Sequence, residues 1–128
     1  MMNTARDTAL YLIYQSVRDR VAMTFDDFKN AVSEWDIKPV SCAGEIIGGF
    51  MTRGNEVHVG LAERPHGALT SVFRRIVRPL LREHGRLTTQ VMLDNEKGLH
   101  FCKRIGFEEV GRQGDRVLLM CDRSKYVQ

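Results

Sequence analysis

Asn95-Glu96-Lys97-Gly98-Leu99-His100-Phe101-Cys102-Lys103-Arg104-Ile105-Gly106-Phe107 is the stretch whose reading decides the fold. It follows an apolar run, Val91-Met92-Leu93, that has the character of a strand end. Gly98, Phe101, Cys102 and Ile105 recur at i, i+3, i+4 and i+7, which is one face of a helix. Asp94 or Asn95 can cap that helix, because a short side-chain oxygen accepts from an orphan amide of the first turn. Gly106 stands where a helix stops on a left-handed residue. Phe107 opens another extended segment. The stretch therefore predicts strand, short helix, glycine stop, strand.

Working outward, the segment before it predicts a long helix. Leu69, Val72, Phe73, Ile76, Val77, Leu80 and Leu81 form one apolar stripe, with Arg74, Arg75, Arg78 and Arg82 around it. Pro79 inside the helix removes one ladder bond, and Gly85 ends it. Arg86–Leu93 is the strand that leads into the opening stretch. Further back, Ile37–Ala43 and Glu45–Thr52 predict a hairpin turning at Ala43-Gly44, with Pro39 pushing its first strand toward a sheet edge. Gly48-Gly49 predicts a bulge or a close backbone approach. Arg53-Gly54-Asn55 is a turn and Glu56–Leu61 a third strand. There Glu56, His58 and Gly60 share one face, and Val57, Val59 and Leu61 the other.

At the N-terminus a helix over 4–20 is expected to bury Ala5, Ala9, Leu12, Ile13, Ser16 and Val17. Thr24, with Asp27 three residues on, starts a second helix. Its Phe25 and Phe28, with Val32 and Trp35, are expected in the core. After the opening stretch, Glu108–Val110, a turn over Gly111–Asp115 and Arg116–Cys121 make a closing hairpin. The element order is α-α-β-β-β-α-β-α-β-β, an α+β class.

At 128 residues, 43% hydrophobic and 27% charged, the chain has the size and composition of one soluble domain spanning 1–128. No apolar run is long enough to span a bilayer, and Met1–Arg6 lacks a signal-peptide pattern. Cys42, Cys102 and Cys121 are odd in number and far apart, which fits a reducing, cytoplasmic setting and offers no metal-ligand spacing. A formal charge of +3 is mild. The arginine-rich helix face is the one hint of an anionic partner. Without a signature of a nucleic-acid-binding module, nucleic acid is not an expected partner.

The opening stretch resembles the fourth conserved block of the GNAT superfamily of acyl-CoA N-acyltransferases. That block reads Asn-x-x-Ala, two residues, an aromatic or Leu, a Tyr, three residues, Gly-Phe. Asn95, Phe101, Gly106 and Phe107 match it; Gly98 stands where Ala is usual and Cys102 where Tyr is frequent. The family's pyrophosphate loop, Gln/Arg-x-x-Gly-x-Gly/Ala, has its counterpart in Arg64-Pro65-His66-Gly67-Ala68-Leu69. Arg64 and Gly67 match there, and Leu69 replaces a small residue. The resemblance implies a GNAT-like mixed sheet flanked by helices, with the family's first strand missing or vestigial. The absence of that strand makes the chain similar to compact GNAT-like proteins encoded by tailed bacteriophages.

What the resemblance implies about chemistry follows residue by residue. Acetyl-CoA is the cosubstrate, and an amine, on a small molecule or a protein, is the acceptor. Amides at the start of the long helix, with Arg64, His66, Gly67, Ala68 and Leu69, would hold the pyrophosphate. Asn95 belongs to the same cosubstrate set. Arg74 and Arg75 are in reach of the adenosine 3′-phosphate. The backbone of Val59, Gly60 and Leu61 would bond the pantetheine and polarise the thioester carbonyl. Glu56 or His58 would take the proton of the attacking amine, directly or through water. Cys102 replaces the tyrosine that protonates the departing thiolate. A thiol can donate at neutral pH, yet burial on a helix face is its expected role and a covalent acyl-cysteine is not expected. The alternative is a GNAT-fold binding or structural protein that has lost catalysis, such as a phage virion component, located in the host cytoplasm or the virion. Acceptor identity and oligomeric state are not legible in the chain.

Overall fold

The computed structural model describes residues 4–62 and 69–122, and of 69–72 the backbone alone. The elements are α1 (Ala5–Val17), α2 (Phe25–Ala31), β1 (Asp36–Cys42), β2 (Glu45–Arg53), β3 (Glu56–Leu61), α3 (Leu69–His84), β4 (Arg86–Met92), α4 (Glu96–Arg104), β5 (Glu108–Gln113) and β6 (Arg116–Asp122). This is the order expected from the sequence. The strands form one mixed six-stranded sheet ordered β1-β2-β3-β4-β6-β5. The chain divides into two compact units, Met1–Arg53 with Val57–Gly67, and Gly54–Glu56 with Ala68–Gln128.

In the first unit the helix starts are set by their caps. Thr4 Oγ1 accepts from Asp7 N–H at 3.0 Å and Thr24 Oγ1 from Asp27 N–H at 3.2 Å. α1 is shorter than expected and turned from the face predicted for it. Ala9, Leu10 and Ile13 are buried, whereas Leu12 is half-buried and Ala5 and Ser16 are exposed. Leu10 sits at i−3 from Ile13, so its choice over Leu12 reflects where the sheet lies, which periodicity cannot tell. Phe28, Val32, Ile37 and Met51 complete this core, with Phe25 and Trp35 packed against it. The Tyr14 ring meets Phe25 and Phe28 in tilted contacts, with centroids 5.5 Å away in each case, and its hydroxyl donates to the Met23 carbonyl at 2.8 Å.

β1 and β2 pair antiparallel around a two-residue turn, Ala43-Gly44, flanked by the pair Cys42 and Glu45. Both turn residues have positive φ, 53° and 83°, the signature of a type I′ turn. Between Val40/Gly48 and Ser41/Ile46 the register shifts, leaving Ile47 as the extra residue of a bulge. Of the bulge or close approach expected at Gly48-Gly49, the close approach is there and the bulge falls one residue earlier, at Ile47. A Cβ on Gly48 would run into the Gly60 carbonyl oxygen, and one on Gly49 would lie 2.6 Å from Ile13 Cδ1. β1 is an edge strand, as Pro39 requires.

In the second unit, β4 and β6 pair antiparallel with Leu87 opposite Cys121, Thr89 opposite Leu119 and Val91 opposite Val117. Alternation turns Leu87, Val117, Leu119 and Cys121 into the core beside Phe73, Val77 and Leu81 of α3. Gly85, at φ 82°, stops α3 and donates to the Leu81 carbonyl at 2.8 Å. Glu56 pairs parallel with Thr88, whose N–H donates to the Asn55 carbonyl at 2.9 Å. β5 runs to Gln113, further than expected, so the turn is Gly114-Asp115 alone. The reason is a bulge: Val110 is the extra residue between the Glu109/Leu119 and Gly111/Leu118 pairs. Arg112 Nε donates to Glu109 Oε1 across it at 2.8 Å, which holds the Glu109 carboxyl below its ordinary range.

Candidate active site

Each part of the site predicted from sequence is carried by an element whose local chemistry can be followed. In the first unit that element is β3. Ala62 N–H donates to the Ile47 carbonyl at 2.9 Å, and the Gly60 carbonyl also points at β2. Successive residues of a strand direct their N–H and C=O groups to opposite edges. The Gly60 amide therefore faces β2, while the Val59 and Leu61 amides face away from it. Of the three backbone positions the resemblance singles out, Val59 and Leu61 turn their amides away from β2 and Gly60 turns its amide toward it.

The role of Gly60 lies on its other side. A Cβ there would stand 2.6 Å from Ser16 Oγ and 3.0 Å from Ile13 Cα, so α1 rests on the bare backbone of β3. Ser16 donates this hydroxyl to the Ile13 carbonyl at 2.6 Å. His58 shares this face by alternation, is half-buried, and meets Trp35 edge-on with ring centroids 5.4 Å apart. Sequence reasoning placed Trp35 in the core and His58 on β3 but did not join them. Glu56, also half-buried, belongs to the second unit, where it opens the parallel pairing with Thr88.

The second unit holds α3 and α4. α3 is a 16-residue helix beginning at Leu69, with no acidic residue in its first turn. An N-terminus of that kind favours an anion through its orphan amides and dipole. Arg64, His66, Gly67 and Ala68, assigned to the phosphate loop, lie outside the described residues. On α4, Asn95 is the cap, its Oδ1 accepting from Gly98 N–H at 3.1 Å. A Cβ at Gly98 would stand 2.5 Å from Asn95 Nδ2, so the alanine usual in the resembled block would displace this cap.

Cys102 is buried, and burial pushes its thiol up to about 11. The expected helix face holds: Cys102 and Ile105 are buried, Gly98 and Phe101 half-buried. Phe101 meets the fully buried Phe73 edge-on at 4.8 Å. The Phe107 N–H returns to the Cys102 carbonyl at 2.9 Å and the Gly106 N–H to Lys103 at 3.2 Å, closing the helix over its glycine stop. A thiol so placed is a packing group and a poor proton donor at neutral pH. Among the described residues no group of His, Cys, Asp and Glu could hold a metal ion. No described helix is long and apolar enough to cross a membrane.

No family model and no curated protein sequence matches the chain. Solved structures do. Aminoglycoside acetyltransferase AAC(6')-Ib in complex with coenzyme A and kanamycin superimposes with a TM-score of 0.72 at 15% identity, over 98% of this chain and 95% of that one. The chain has the GNAT fold. The same enzyme with paromomycin and acetyl-CoA gives 0.73 at 16% identity, over 98% and 93%. A dodecameric spermidine N-acetyltransferase from Vibrio cholerae gives 0.67 at 15% identity, over 94% and 91%. At such identities it is the GNAT fold that is shared, with nearly the whole chain inside it.

Proposed function

We propose that this chain is an acetyl-CoA-dependent N-acetyltransferase that passes the acetyl group directly to an amine. The observation that carries the reading is the pair of β3 amides, Val59 and Leu61, turned away from β2 within a GNAT fold. The described donor set suits the cosubstrate: two strand amides for the pantetheine, and a long helix with an acid-free first turn for the phosphates. Bound acetyl-CoA supplies an activated thioester carbonyl. The chain's own residues do the rest. Val59 and Leu61 hydrogen-bond the arm and stabilise charge on the carbonyl oxygen. Arg64, His66, Gly67, Ala68 and Leu69 hold the phosphates at the start of α3, and Asn95 sets the start of α4. His58, oriented by Trp35, or Glu56 takes the amine proton. Cys102 fills the α4 face. Neighbours of the same fold act on spermidine and aminoglycosides, which supports a small polyamine-like acceptor for this chain too.

A second reading, a GNAT-fold binding or structural protein such as a phage virion component, is favoured by one observation. Where many GNAT enzymes carry a tyrosine, the thiol of Cys102 is buried and pushed up to about 11. Titration with acetyl-CoA followed by thiol release in the presence of spermidine or kanamycin separates the two. Ligand at 100 times its dissociation constant adds about 2.7 kcal/mol to stability. Absence of both a thermal shift and calorimetric heat at millimolar acetyl-CoA would end the enzymatic reading. Binding without turnover on any amine would select the second.

A further inference from the structure

The charge of the second unit is segregated in a way that packing does not explain. On α3 the exposed side chains include Arg74, Arg75, Arg78 and Arg82, with Glu83 the only acid between Leu69 and His84. Arg74, Arg78 and Arg82 repeat at i, i+4 and i+8, so like charges stack along one side, which destabilises a helix. No acid stands three or four residues from Arg74, Arg75 or Arg78 to relieve them. α4 continues the pattern: Lys97, Lys103 and Arg104 are exposed, against Glu96. The Phe73–Phe101 contact at 4.8 Å joins the two helices at one point. By contrast α1 and α2 mix signs, with Arg6, Asp7, Asp26, Asp27 and Lys29 interspersed. A face that serves only solubility mixes signs in this second way.

We propose that the exposed face of α3 and α4 binds the sugar-phosphate backbone of a nucleic acid. The stripe on α3 is entirely arginine, whose planar fork grips phosphate oxygens in pairs. One arginine per turn places guanidinium groups about 6 Å apart along the axis, a regular row of cations matched to a polyanion with regular charges. The near end of the row, Arg74 and Arg75, is the part in reach of the cosubstrate's 3′-phosphate, and the far end extends beyond it. Arg78 lies about 13 Å and Arg82 about 20 Å along the axis from the start of α3. The inference does not depend on acetyl transfer.

The test is fluorescence anisotropy of a labelled 20-base-pair DNA duplex and a 20-nucleotide RNA against the intact protein, from 50 to 200 mM salt. Engagement of about four phosphates gives a log–log salt slope near −3.6 and a loss of about 100-fold across that range. Arg74→Gln, Arg78→Gln and Arg82→Gln together should flatten the slope by about 2.7, with an unchanged circular dichroism spectrum. Lys97→Gln with Lys103→Gln should flatten it less. No binding of either probe at 50 mM salt overturns the proposal. So does undiminished binding by the folded triple variant. Two measurements on the unaltered protein guard against a variant that does not fold. Polyglutamate that competes as well as the nucleic acid would assign the face to acidic protein surfaces instead. Acetyl-CoA that displaces the probe would return the arginines to the cosubstrate site.

Discussion

The two units of this chain both bury large side chains, but only in the first does a helix also rest on bare strand backbone. In the first, helix α1 sits directly on strand backbone: Gly49 and Gly60 leave no room for a Cβ beneath Ile13 and Ser16, and Gly48 leaves none beside Gly60. In the second, large side chains fill the space: Phe73, Leu81, Leu87 and Leu119 are all but fully buried. The first interior, alongside its buried Leu10, Ile13 and Phe28, depends also on atoms that are absent, whereas the core of the second rests on atoms that are present. The sheet glycines of the first unit should therefore be sensitive to additions, and the core of the second chiefly to deletions.

The largest effect is expected from deletion in the second unit. Phe73→Ala removes a fully buried ring and its edge contact with Phe101, and should cost about 3–5 kcal/mol in urea unfolding. A loss below about 1 kcal/mol would mean that the interior there is looser than its burial indicates. Next comes addition in the first unit. Gly60→Ala forces Ser16 and Ile13 away and should cost about 1–3 kcal/mol, with Gly48→Ala at the upper end because its obstacle is backbone. The matching change in the second unit is the control. At Gly111 a Cβ meets only Leu118 Cδ1 at 3.8 Å, so Gly111→Ala should be neutral or stabilising by up to about 1 kcal/mol. Equal losses at Gly60 and Gly111 would erase the contrast.

A pH series sharpens the account of the second unit. The Cys102 thiol is raised from 9.0 to about 11 by burial. Its contribution is fully present below 9.0, where the thiol is protonated in both folded and unfolded chains. Between 9.0 and about 11 only the unfolded chain releases the proton, so stability falls through that window. Cys102→Ala should lower stability at neutral pH through a small cavity and flatten the alkaline slope. An identical slope in the variant would assign it to other groups. The smallest effect belongs to the first unit. Ala43 occupies a left-handed position at φ 53°, and Ala43→Asn suits a type I′ turn better. It should raise the melting temperature by the few degrees that about 1 kcal/mol represents in a chain of this size.

Much of this was legible because it is local. The caps at Thr24 and at Asp94 or Asn95, and the stops at Gly85 and Gly106, are agreements between one residue and its near neighbours, so sequence order reveals them. The α4 face of Gly98, Phe101, Cys102 and Ile105 was readable from spacing for the same reason. Where reading fell short, the deciding partner was distant in sequence. The face of α1 depends on where β2 and β3 pass beneath it, so Leu10 was missed in favour of Leu12. The length of β5 depends on its register with β6, which a single bulge at Val110 restores.

The candidate site divides along the same line. Residue order alone put Val59, Gly60 and Leu61 on one strand and a glycine-stopped helix after the next. It did so because alternation and helical periodicity are properties of a chain's own backbone. Hydrogen bonding to β2 decided that Val59 and Leu61 turn their amides outward while Gly60 turns its amide inward, because strand edges are defined only by their neighbours. The meeting of Trp35 with His58, and the burial that quiets Cys102, were likewise decided by tertiary packing. A side chain's surroundings come from segments far along the chain, which local spacing does not record.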